Sequence, residues 1–340
     1  KTVFYQIYPQ SYADSNGDGI GDLPGIIQRL DYIQSLGVNA IWLNPCFVSP
    51  FQDAGYDVAD YYHVAPRYGT DADLVRLFHE AEQRGIRVLL DLVPGHTSIE
   101  HPWFRESCRP EQNPYSDYYI WTDSAWTWDA PGCRLVSGYS DRHAAYAVNF
   151  FYSQPALNYG FAHPDPQHAW QQPVDAPGPQ AVRREMKKVM RHWLEKGASG
   201  FRVDMAFSLV KNDPNWVETT QLWQEVRAWL DNDFPQAVLV SEWGRPRYAI
   251  PAGFHLDFML PFGAPGYMSL LRKPTGHGPG SDPYGFSFFD RGGRGNIMEF
   301  LDNYLEHYTI TREIGHIAIP TGNHDTGPRL AAGREQDELK

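Results

Sequence analysis

The strongest constraint on this chain is an alternation that runs along it: a short, continuously apolar run, a helix-periodic stretch, then another apolar run. VFYQIYP at 3–9 is followed by DLPGIIQRLDYIQSLG, where Ile26, Leu30, Ile33 and Leu36 share one face and Gly37 stops the pattern. VNAIWLNP at 38–45 comes next. DADLVRLFHEAEQRG then repeats the helical period with Leu74, Leu77, Phe78 and Ala81, ahead of IRVLLDLVP at 86–94. Runs that are apolar on both faces suit a parallel sheet covered by helices.

The alternation stops at His101. Residues 101–180 are rich in Pro, Tyr, Trp, Asp and Gln and hold no long periodic run. A structureless loop of that length is out of keeping with a compact domain, so an inserted small subdomain is expected. Periodicity returns at AVRREMKKVMRHWLEKG, with Val182, Met186, Val189, Met190 and Trp193 as its apolar stripe. Four more strands are predicted at 200–206, 237–243, 254–260 and 316–325, with helices at 216–230 and 296–310. The Gly- and Pro-rich connection 261–296 is expected to lie over a substrate opening. The reading is an α/β fold, either a (β/α) barrel or a large open sheet, with strands 1–3 in 1–100, the insertion in 101–180 and strands 4–7 in 181–340. No apolar run follows Asp325 for an eighth strand, so the chain reads as a barrel whose closing strand is absent. Neither GxGxxG nor a P-loop motif occurs, which removes sequence support for nucleotide binding.

Charge narrows the partners. Lys and Arg total 29 against 41 Asp and Glu, a net charge of −12, which argues against broad contact with nucleic acid or anionic lipid. Aromatic residues make up 14%, with 20 Tyr and 11 Trp; surplus rings suit flat sugar faces, although most are expected in the core. Three cysteines are too few for a disulfide framework. Cys46 is expected to be buried, Cys108 and Cys133 are close enough in sequence to pair, and the absence of CxxC disfavours cysteine-based zinc or redox chemistry. No membrane-length run and no basic-then-apolar leader is present, which tilts the expectation slightly to the cytoplasm.

In a barrel, catalytic groups sit at the C-terminal ends of different strands. Polar residues interrupt the apolar runs at those ends: His96 after the third, Arg202 and Asp204 on the fourth, Glu242 on the fifth, His324 and Asp325 on the seventh. Taken singly, each is as readily a helix cap, an ion-pair partner or a core histidine bonded to backbone. Six at equivalent strand ends make that reading harder to hold. Asp204 lies two residues beyond Arg202, so both side chains share a face and the guanidinium can hold the carboxylate ionised. Glycoside hydrolysis is the chemistry that most needs such a set, since it uses one ionised carboxylate and one protonated carboxyl group flanking a sugar C1–O bond.

These residues also carry a family resemblance. DLVPGH (91–96), QPALN (154–158), GFRVDMA (200–206), SEW (241–243) and GNHD (322–325) occur in the order of the motifs of the α-amylase superfamily (glycoside hydrolase family 13), and the chain is similar to the oligo-1,6-glucosidase and α-glucosidase group. The resemblance implies a (β/α)8 TIM barrel with the insertion as its B domain, and retaining double displacement on α-linked gluco-oligosaccharides. It implies Asp204 as nucleophile, Glu242 as acid and base, and Asp325 as the third carboxylate, which grips sugar hydroxyls. Arg202 matches the arginine beside the nucleophile, and His96 and His324 match histidines that bond the sugar. In GYDVADY (55–61), Tyr56 and Asp57 match an aromatic platform and a hydroxyl-binding acid. It further implies a C-terminal β domain, and this chain ends before one. Two positions depart from the pattern. Gly95 stands where the family has an Asn that helps hold a calcium beside the B domain, and Ala156 stands where the oligosaccharide-acting group has Asp. Transfer of glucosyl to a sugar, as in trehalose synthase or a glucanotransferase, is the nearest alternative; an endo-acting amylase and a non-catalytic sugar-binding homologue stand further off.

One motif lies apart. DSNGDGIGD (14–22) sets oxygen ligands at positions 1, 3, 5 and 9 with Asp14, Asn16, Asp18 and Asp22, and the Ile20 carbonyl at position 7. The glycines permit a tight wrap, as in the first part of an EF-hand loop, although position 12 is Gly25. An Asx-rich turn is the simpler alternative. The same loop in oligo-1,6-glucosidase-like relatives implies a structural Ca2+ or Mg2+ site remote from the chemistry. No organic cofactor is expected.

Overall fold

The computed structural model describes residues 2–325 except Pro131, Phe262, Pro265, 272–286 and 290–291, and leaves aside the side chains of Met268 and Leu271. The chain forms two compact units, Lys1–Val238 and Leu239–Lys340.

The first unit begins with β1 (Phe4–Ile7), α1 (Leu23–Gln28), α2 (Leu30–Ser35) and β2 (Ala40–Leu43). A short antiparallel pair, β3 (Phe47–Val48) and β4 (Asp60–Val64), precedes α3 (Asp71–Gln83) and β5 (Arg87–Leu92). The inserted region holds α4 (Pro102–Ser107), β6 (Arg134–Val136) and β7 (Tyr146–Val148). It leads into α5 (Pro177–Glu195), β8 (Gly200–Val203) and α6 (Val217–Asp233). Strands β1, β2, β5 and β8 pair in parallel in that order. All four residues of β2 and of β8 are buried, as continuous apolar runs require when both faces are covered.

Local chemistry sets the helix limits. Thr70 and Asp73 form a reciprocal capping box on α3, and Asp22 Oδ1 accepts the Gly25 N–H at the start of α1. The single helix expected over 22–36 is divided: at Arg29 the N–H reaches back to Ile26 three residues away, which tightens that turn and separates α1 from α2. Leu74, Leu77, Phe78 and Ala81 of α3, and Val182, Met186, Val189, Met190 and Trp193 of α5, are buried as their spacing predicts. The Trp193 ring stacks on Phe47 with centroids 5.2 Å apart, and its Nε1–H donates to the Tyr61 carbonyl. Gly200, at φ 140°, leaves no room for a side chain, because a Cβ there would fall 2.0 Å from the Val238 carbonyl oxygen.

The insertion has a core of its own. Ile120, Ala147, Ala156 and Phe161 are buried together, with Cys133, Leu135 and Trp170 packed against them. Cys46 is buried, as expected, while Cys108 and Cys133 are free thiols rather than a pair.

The second unit is built on β9 (Val238–Ser241), β10 (Leu256–Phe258) and β11 (His316–Ala318), parallel and adjacent in that order. Its helices are α7 (Pro246–Ala249), α8 (Tyr267–Leu271) and α9 (Met298–Thr311). Phe300 of α9 packs with Met259, Ala264 and Tyr267. The seven strands read from the sequence are therefore all present among the described residues, shorter than their apolar runs, and each is parallel to its neighbour within its unit. Most of the 261–296 connection and the segment expected to lack an eighth strand, 326–340, lie outside the described residues. Among the described residues no helix is long and apolar enough to cross a membrane.

Candidate active site

Cross-strand register builds the first part of the site. Asp91 near the end of β5 lies opposite Arg202 on β8. The Arg202 Nη1 donates to Asp91 Oδ1 at 2.8 Å and to Asp204 Oδ1 at 2.9 Å, so one guanidinium is shared by two carboxylates. Arg202 is 1% exposed, and its guanidinium carbon lies 4.7 Å from the Trp42 ring centroid. Asp91 Oδ2 accepts from Trp42 Nε1 and from the Tyr56 hydroxyl, each at 2.9 Å. Burial pulls the Asp91 carboxyl upward, and the Arg202 charge with these hydrogen bonds pulls it back. The Asp204 N–H is tied to the Leu92 carbonyl, and the chain turns at once through left-handed backbone at Met205, φ 41°. Asp204 is thus a nearly buried carboxylate with one oxygen held by a cation.

His96 and Tyr56 adjoin this group. The His96 Nε2–H donates to the Tyr56 carbonyl at 3.1 Å, and Nδ1 accepts from Asn149 Nδ2 at 3.3 Å. These partners assign the neutral tautomer. Burial lowers the imidazole to about 4, and the Lys211 charge adds to that effect. The Lys211 ammonium is itself buried and donates to Asn149 Oδ1 and the Ser208 carbonyl; burial brings it down to about 8. Gly95 makes this arrangement possible, because a Cβ there would fall 2.6 Å from Asn149 Nδ2. Where the family pattern has a calcium-ligating Asn, this chain has a glycine that admits an amide bonded to a buried ammonium.

Asp57 faces elsewhere. It is fully buried, and its oxygens accept from Ser49 Oγ, the Gln52 N–H and the Asp53 N–H, so it braces its own loop. The half-buried acid of this segment is Asp53, which accepts from Gln154 Nε2 of the QPALN motif. Asp91, Asn149, Lys211 and Asp53 all escaped the sequence reading. Only Asp91 carried a usable signal, as a carboxylate interrupting an apolar strand.

The second unit carries the remaining carboxylates. Glu242 follows β9 directly and is 8% exposed. His324 and Asp325 follow β11; the His324 Nε2 lies 3.3 Å from Asp325 Oδ2, and the Asp325 N–H is capped by Asn323 Oδ1. Each acid of the expected trio therefore sits beyond the C-terminal end of a parallel strand, where barrel chemistry is found.

The 14–22 loop closes on itself. Asp14 accepts from the Asn16, Gly17 and Gly19 amides, Asn16 Oδ1 from the Asp18 amide, and Asp18 Oδ1 from the Ile20 amide. The Gly19 and Gly17 amides hold the Asp14 carboxyl below the usual range. Asp22 departs from the expected ligand set: its oxygens accept from Ser15 and from the Gly25 N–H as the N-cap of α1. Among the described residues no group of three or more His, Cys, Asp and Glu gathers as a metal site. The oxygen-only donors suit a hard cation, but Asp22 as placed does not join them.

Comparison with known proteins agrees with this geometry. The family model described as "Alpha amylase, catalytic domain" matches residues 6–250. An oligo-1,6-glucosidase of Parageobacillus thermoglucosidasius is 42% identical over 211 residues, covering 60% of this chain and 34% of that protein. A trehalose synthase/amylase of Mycobacterium tuberculosis is 40% identical over 251 residues, covering 71% and 39%. Among solved structures, the trehalulose synthase MutB of Pseudomonas mesoacidophila MX-45 superposes with a TM-score of 0.74 at 28% identity, covering 95% of this chain and 57% of that one. The chain thus spans less than two thirds of each of these relatives. With the motifs in order, the parallel strands in place and the carboxylates at the strand ends, the chain belongs to the α-amylase family of glycoside hydrolases through its catalytic domain.

Proposed function

We propose that the protein is a retaining α-glucosidase acting on short α-linked gluco-oligosaccharides. The observation that carries this reading is Asp204, nearly buried at the end of β8 with one oxygen on Arg202. The other carboxyl oxygen attacks the anomeric carbon while Glu242 protonates the departing glycosidic oxygen. Glu242 then takes a proton from the incoming hydroxyl, which displaces Asp204 and restores the α configuration. Asp325 and His324 hold sugar hydroxyls, and Tyr56 offers its ring. A hydroxyl reaching His96 competes with the Tyr56 carbonyl for the Nε2–H. Asp57 contributes by fixing the loop that bears Tyr56.

A second reading, transfer of glucosyl to a sugar acceptor, is favoured by the likeness to trehalose and trehalulose synthases. The two share the covalent intermediate and differ in what intercepts it. Product analysis over time on maltose, isomaltose, trehalose, sucrose and maltotriose separates them. Free glucose is expected to dominate at all times. Dominant isomerised or longer sugars assign transfer instead, and no turnover of any of the five rejects the glucosidase reading.

The same proposal includes a structural Ca2+ or Mg2+ in the 14–22 loop, held by Asp14, Asn16, Asp18 and the Ile20 carbonyl, with Asp22 joining only on leaving the α1 cap. Chelation is then expected to lower the melting temperature while leaving the chemical rate nearly unchanged, and Asp18→Ala should do the same. Coincident melting curves with and without chelator reject the metal.

A further inference from the structure

We propose that Asp257 is the positioning residue for Glu242, clamping the segment on both sides of it. This inference rests on the reading of Glu242 as the proton donor.

Asp257 lies on β10, opposite Ser241 of β9 in register, and is 0% exposed. Its Oδ1 accepts from Ser241 Oγ at 2.7 Å, from the Trp243 N–H at 3.1 Å and from the Gly244 N–H at 3.4 Å. Its Oδ2 accepts from the Arg245 N–H at 2.8 Å. All four donors come from residues 241–245: one precedes Glu242 and three follow it. Gly244 sits in left-handed backbone at φ 70°, and a Cβ on Gly263 would fall 2.0 Å from the Gly244 carbonyl oxygen, so the turn is also closed from the β10 side.

A buried carboxylate is costly to ionise, and hydrogen bonds from several amides lower that cost. The balance here is unfavourable: burial raises the Asp257 carboxyl to about 7 in spite of its four bonds. An apolar side chain at this central strand position would avoid that penalty. What the carboxylate supplies is acceptor oxygens for amides that follow the strand end and have left the sheet ladder. A general acid must meet the leaving oxygen within hydrogen-bond reach, and a displacement of about 1 Å is enough to cost about 100-fold in rate. Fixing the backbone of 243–245 therefore fixes where the Glu242 carboxyl can point.

The test uses the full-length protein and a pair of substrates that differ in their need for acid. Methyl α-glucoside has a poor leaving group and depends on proton donation; α-glucosyl fluoride depends on it little. In Asp257→Asn the amide nitrogen faces an N–H donor, so at least one clamp bond is lost with little change of shape. The expected result is a fall in kcat/KM of about 30-fold on the methyl glucoside and under about 3-fold on the fluoride. An equal loss on both substrates, or no loss on either, overturns the proposal. Ser241→Ala removes a single donor, and the same selectivity at smaller size is expected. If Asp257→Asn does not fold, Ser241→Ala decides: a uniform loss, or none, overturns the proposal. Wild type assayed in parallel separates the two levels, because failure to turn over either substrate overturns the glucosidase reading and this inference with it.

Discussion

Replacing Asp204 by Asn is expected to lower kcat/KM by about four orders of magnitude while leaving the protein folded. An amide cannot form the glycosyl ester on which the double displacement depends, and losses of this size are typical when a nucleophile is removed. Stability should survive the change because Arg202 keeps its bond to Asp91, and the Asn oxygen can still accept from the same Nη1. The measurement is steady-state hydrolysis together with mass spectrometry after an activated fluorinated glucoside. Wild type should gain one sugar on the peptide containing Asp204, and the variant none. Activity within tenfold of wild type in the Asn variant would remove Asp204 from the nucleophile role.

The largest effect on stability is expected at Arg202. Its guanidinium joins Asp91 and Asp204 inside the protein, and both acids stay behind when it is removed. Breaking a buried pair from one side typically costs about 3–5 kcal/mol, because a buried charge is left uncompensated. Arg202→Met is therefore expected to lose that amount in chemical denaturation at pH 7. The sign of its pH dependence follows. Burial already raises the Asp91 carboxyl with Arg202 in place, and without the cation it rises further above its unfolded value. The penalty is present above the folded pKa and fades as protonation neutralises the acids. Relative to wild type, Arg202→Met should thus recover stability as the pH falls toward about 5. A second change, Asp91→Asn, should restore part of the loss at neutral pH. A constant deficit across that range, unaffected by Asp91→Asn, would mean that the cost is lost packing rather than unpaired charge.

Particular residues show how far the sequence could be read. The buried stripes of α3 and α5 were legible because a helix repeats within a few residues and its apolar positions follow that period. Asp204 and Glu242 were legible as strand-end acids because they recur with His96, Arg202, His324 and Asp325 at equivalent ends and in ordered motifs. The division between α1 and α2 was not, since it depends on one N–H choosing a carbonyl three residues back. Asp57 misled for a related reason: its place in GYDVADY is fixed, but its oxygens turn to Ser49, Gln52 and Asp53. Asp22 is the same case, with one motif offering two uses and the α1 cap taking the carboxylate.

By itself the amino-acid sequence determined the α/β class, the order of the seven strands of the parallel sheet, the presence of an insertion and the identity of the acids that end the strands. All of these are written in patterns spanning one element, where local period and burial leave few alternatives. Only the tertiary structure decided which partners the buried carboxylates take. Asp91 meets Arg202 across a separation of 111 residues, and Asp257 meets Ser241 across 16, each through the register of neighbouring strands. Register is a property of two segments at once, set by how their side chains pack in the assembled sheet, and no pattern within either segment contains it.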